Sequence, residues 1–91
     1  MTNNTYIVTF ETASQENLEK IEKLLKTYPG YCPIHKYCWA IFSDSKPIDI
    51  HNHLKQALGL NDRLFVIRSG TMAAWSNSYG EQHDEWLKKN L

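Results

Sequence analysis

Apolar and polar positions along the chain change their period several times, and each change marks an element. Tyr6, Val8 and Phe10 alternate with Ile7 and Thr9, which predicts a strand over Thr5–Phe10. Leu18, Ile21, Leu25 and Tyr28 then recur at three- and four-residue spacing, with Leu24 beside them, and predict a helix over Gln15–Tyr28. Ser14 is placed to cap that helix, Glu16 suits its first turn, and Pro29-Gly30 stops it. Tyr31–His35 reads as a short strand, confined to a sheet edge by Pro33. A turn near His35-Lys36 leads to a second strand, Tyr37–Ser43, with Trp39 and Ile41 on one face and Cys38, Ala40 and Phe42 on the other.

A second helix is expected over Pro47–Leu58. Ser45 is its expected cap, Pro47 fits its first turn, and Ile50, Leu54, Ala57 and Leu58 form its apolar stripe. Gly59 suits the residue just past its end. Leu64, Phe65, Val66 and Ile67 follow as an unbroken apolar run between Asn61-Asp62 and Gly70. Such a run predicts a strand, Arg63–Arg68, buried on both faces. Thr71–Gly80 is irregular and rich in small residues, and Glu81–Asn90 predicts a short amphipathic helix carrying Trp86 and Leu87.

The order β-α-β-β-α-β plus a tail predicts an α+β chain of ferredoxin-like arrangement, a four-stranded antiparallel sheet with two helices on one face. This divides into a domain over residues 1–70 and a tail over residues 71–91 that packs on its own or a partner subunit. Two short helices cover only one face, so the apolar residues on the other need the tail or a second subunit. A homodimer is therefore expected.

Composition narrows the function classes. Of the 91 residues 42% are hydrophobic, which supports one modest core and excludes a disordered chain. Ten Lys and Arg balance ten Asp and Glu, so the basic excess of a dedicated nucleic-acid binder is missing. The N-terminus lacks the pattern of a signal peptide or membrane span, and the expected location is cytoplasmic. In that compartment Cys32 and Cys38 are expected as free thiols. His51 and His53 stand two apart on a helix and point to different sides, which is poor metal geometry. Glu16–Lys20, Glu19–Lys23 and Glu22–Lys26 are spaced as ion pairs of about 0.2–0.5 kcal/mol each, the pattern of a solvated helix face. Glu11, at the end of the first strand, is the carboxylate whose position suggests chemistry.

The YIVTFE strand end, the YCWAIFSDS strand-to-helix passage and the NDRLFVI strand resemble a set of small bacterial proteins labelled the "SinR family". These are similar in fold to the small CRISPR adaptation nuclease and to VapD-type toxin ribonucleases. The resemblance spans about Tyr6–Arg68 and a tryptophan-bearing tail near Trp75. It implies a ferredoxin-like homodimer in bacterial or phage defence. It also implies a metal ligand at the dimer two-fold, where Phe10-Glu11 stands in for the family's aromatic-Asp pair. The leading expectation is a non-catalytic binding or interaction module whose ligand is nucleic acid, a nucleotide or a protein, with Lys36, Arg63 and Arg68 as candidate contacts. The alternative is a Mg²⁺-dependent endonuclease or endoribonuclease. There Glu11 would be both catalytic residue and metal ligand, paired across the two-fold, with Thr12 or Ser14 orienting water.

Overall fold

The computed structural model describes residues 3–70, 74, 76 and 78–90. In chain order the elements are β1 (Asn4–Glu11), α1 (Gln15–Leu25), β2 (Gly30–His35), β3 (Cys38–Ser43), α2 (Pro47–Lys55), β4 (Arg63–Arg68) and α3 (Glu81–Asn90). The strands form one antiparallel sheet in the order β2-β3-β1-β4, the ferredoxin-like topology. Trp75, in the tail that carries part of the resemblance, lies outside the described residues.

Strand alternation builds the core. Tyr6, Val8 and Phe10 of β1 stand opposite Ile41 and Trp39 of β3 and Val66 and Leu64 of β4, all on one face. α1 sets Leu18, Ile21 and Leu25 against that face, and α2 sets Ile50 and Leu54 there. Ser14 caps α1 as expected, its hydroxyl accepting from the Asn17 N–H at 3.1 Å. Of the expected α1 ion pairs, Glu16–Lys20 closes at 3.1 Å.

α2 differs from expectation at both ends. Lys46, not Ser45, occupies the capping position and makes no side-chain cap bond. The helix stops at Lys55, short of Leu58, so Gly59 does not terminate it. Instead the Gly59 N–H donates to Asp62 Oδ2 at 2.8 Å, and Asn17 Nδ2 donates to the same oxygen at 3.0 Å. Asp62 thus ties the loop before β4 to α1, and the backbone N–H bond leads the causes that hold its carboxyl below the usual aspartate range.

The opposite, outer face is covered in part. α3 lies over its β2–β3 half, burying Leu87 with Cys32 and Ala40 beside Ile7, Ile34 and Trp86. The helix is pinned at its end by the Thr5 hydroxyl, which donates to the Asn90 carbonyl. Gly30 lies beneath it. A Cβ there would stand 3.0 Å from Phe42 Cβ on the paired strand, a tight approach, and 3.5 Å from a Trp86 ring carbon, an ordinary contact, so it is the pairing of β2 with β3 that favours glycine. Gly80, at φ +150°, supplies the turn that opens α3.

Among the described residues, no helix lies over the β1–β4 half of that face. This corrects the expectation that β4 is buried on both faces. It is the end strand of the sheet, with Phe65 59% and Ile67 49% exposed. Among the described residues no helix is long and apolar enough to cross a membrane.

Candidate functional site

The last residue of β1 and the first of β4 meet because the two strands run antiparallel. Glu11 is opposite Arg63, and their side chains form an ion pair on the outer face. Both are largely exposed, so the pair contributes about 0–1 kcal/mol and either partner is readily exchanged for another ion. Around this end of the sheet lies an open depression of about 1000 Å³, lined by Thr9, Phe10, Glu11, Thr12, Tyr37, Arg63 and Phe65 among others.

Lys36 belongs to the same end. Its turn joins β2 to β3, and the adjacent Tyr37 carbonyl accepts from the Phe10 N–H at 2.9 Å. The Lys36 ammonium sits 5.3 Å from the centroid of the Tyr37 ring, within cation–π range. Tyr37 also meets Phe10 edge to face, with centroids 6.0 Å apart. Cations and aromatic rings therefore collect where β1 ends.

Arg68 is not part of this group. It lies at the other end of β4, about 17 Å from Arg63 at the usual rise per residue. It stands opposite Tyr6, on the helix face, whereas Arg63 is on the outer face. The structure thus pairs Glu11 with Arg63, sets the Lys36 turn at the same end of the sheet, and separates Arg68 from them.

The residues suggested as helpers to Glu11 have other tasks. Thr12 Oγ1 accepts from the Ser14 N–H at 3.1 Å, and the Ser14 hydroxyl caps α1. Among the described residues no group of three or more His, Cys, Asp and Glu side chains converges. One chain offers Mg²⁺ a single carboxylate at this place, with a guanidinium already bound to it. That donor set does not fit the ion without a second copy. His51 and His53 diverge as expected: His51 contacts Asn52, and His53 Nδ1 lies 2.9 Å from the Tyr28 hydroxyl. Burial pushes that phenol up to about 12. Both thiols are free, and burial raises both, so neither is an activated nucleophile.

Two features of the site escaped the sequence reading, namely the Glu11–Arg63 pair and the exposure of Phe65. Writing the antiparallel register of β1 and β4 places FE opposite RL, which would have revealed the pair. No family model matches this chain, and no match is found among curated proteins.

Proposed function

We propose that the chain is a small homodimeric, non-catalytic binding module of the cytoplasm whose ligand is nucleic acid or a nucleotide. The observation that carries this reading is the 59% exposure of Phe65 on the helix-free strip of the sheet, on the same face as Arg63. An exposed ring on a sheet surface is a stacking platform for an unpaired base, and a neighbouring guanidinium takes the phosphate. Arg63 can turn to a phosphate at small cost because its bond to Glu11 is solvent-screened. Lys36 and Tyr37 extend the same end, while Arg68 serves another surface.

Fluorescence anisotropy with single- and double-stranded RNA and DNA, across a salt series, tests this. Single strands are expected to bind more tightly, with Phe65→Ala and Arg63→Ala each weakening binding about tenfold, as loss of one stacked base or phosphate contact predicts. No binding at low salt removes nucleic acid as the ligand. The nuclease alternative is decided in the same samples. With Mg²⁺ or Mn²⁺ present, cleavage lost by at least about a hundredfold in Glu11→Ala would replace the non-catalytic reading with an enzyme.

A further inference from the structure

We propose that β4 pairs edge to edge with β4 of a second copy, antiparallel and centred on Val66, so that the two four-stranded sheets become one. This rests on the homodimer reading and specifies its surface.

The hydrogen-bond direction of each residue follows from two bonds. The Ser69 N–H donates to the Thr5 carbonyl at 2.9 Å, and the Phe10 N–H donates to the Tyr37 carbonyl at 2.9 Å. Alternation then assigns the backbone groups of Phe65 and Ile67 to β1, and those of Leu64, Val66 and Arg68 to the free edge. An unpaired strand edge is a template for another strand.

The two edges of this sheet are treated differently. β2, at the far edge, carries Pro33 and an irregularity between Pro33 and His35, both of which disfavour pairing. β4 has no proline, no bulge and no charge between its terminal arginines.

Centring on Val66 sets Val66 against Val66 and Leu64 against Arg68 of the second copy, so every edge-facing N–H and C=O within the strand is paired. A centre on Phe65 would set Arg68 opposite Asp62, whose N–H is already spent on the Gly59 carbonyl at 3.2 Å. A centre on Ile67 would set Leu64 opposite Gly70, beyond the strand.

Side chains agree with the same register. On the outer face Phe65 meets Ile67 of the second copy, twice by symmetry. These aromatic–β-branched pairs set the two most exposed apolar residues of the strand side by side and leave the outward side of the Phe65 ring open. Charge is complementary as well. Neither arginine faces an arginine, and Arg68 lies one diagonal step from Asp62 of the second copy on the helix face, within reach of its long side chain. The outer strip of each copy, with Phe65 and Arg63, becomes continuous with the other.

Light scattering across a dilution series, with residue-resolved amide exchange on either side of the midpoint, tests the proposal. The expected result is a dimer in which Leu64, Val66 and Arg68 amides gain at least about tenfold protection, while Phe65 and Ile67, bonded within the chain, change little. Val66→Pro, which removes an edge N–H without touching the β1 ladder, is expected to leave a folded monomer. If that variant does not fold, exchange on the parent decides. A dimer without added protection at those amides overturns the register and leaves the homodimer reading standing. So does parent-like dimerisation of a folded Val66→Pro. A monomer at every concentration overturns both.

Discussion

Asp62 shows how one side chain fixes the geometry of a strand end. Its carboxylate accepts from the Gly59 N–H and from Asn17, and these bonds favour the charged form. The folded pKa lies below the unfolded one. The stabilisation is therefore complete above the unfolded value of about 3.9 and is lost as pH falls through the lower, folded value. Urea denaturation of the parent and Asp62→Ala should show a stability gap at neutral pH. The gap should close as the solution is acidified below about 3.9. A gap independent of pH would assign the effect to packing instead. Glu11 and Arg63, by contrast, contribute little to stability, and their exposed pairing leaves both free to meet a ligand.

At the scale of elements, α3 is the piece that decides what the outer face can do. It closes the β2–β3 half through Leu87 and Trp86 and stops short of β4. Leu87 is 2% exposed and sits in a small cluster with Cys32 and Ala40, apart from the main core. Leu87→Ala should cost about 2–5 kcal/mol, the range for a buried leucine. The loss should fall first on α3, seen as faster amide exchange over Glu81–Asn90 and a red shift of Trp86 emission before β1 and β3 are affected. Simultaneous exposure of all elements would show instead that α3 belongs to the same cooperative unit as the sheet.

At the scale of the molecule, the described residues leave one side of the sheet half covered. The net charge of zero offers no long-range repulsion between copies. If the dimer is the native form, folding and association are linked. Each tenfold rise in protein concentration should then raise the stability per dimer by about 1.4 kcal/mol, read as a higher urea midpoint. A midpoint that does not move with concentration would contradict the dimer.

Much of this architecture was legible along the chain, because local periodicity reports which residues share a face. Tyr6, Val8 and Phe10, and Trp39 and Ile41, alternate as strand residues must, and all five lie in the core. Ser14 caps α1 because a hydroxyl at that position has a free N–H to satisfy. The element order sufficed for the ferredoxin-like sheet. What periodicity does not report is the order of strands in space. Leu64–Ile67 has the composition of a central strand, yet β4 lies at the edge, where Leu64 and Val66 are partly buried against the core and Phe65 and Ile67 face outward. Glu11 and Arg63 are 52 residues apart, and only the pairing of β1 with β4 makes them neighbours. Arg63 and Arg68 look alike on paper, but strand alternation places them on opposite faces. The elements are properties of neighbouring residues; the candidate site is a property of the register that packing imposes between distant ones.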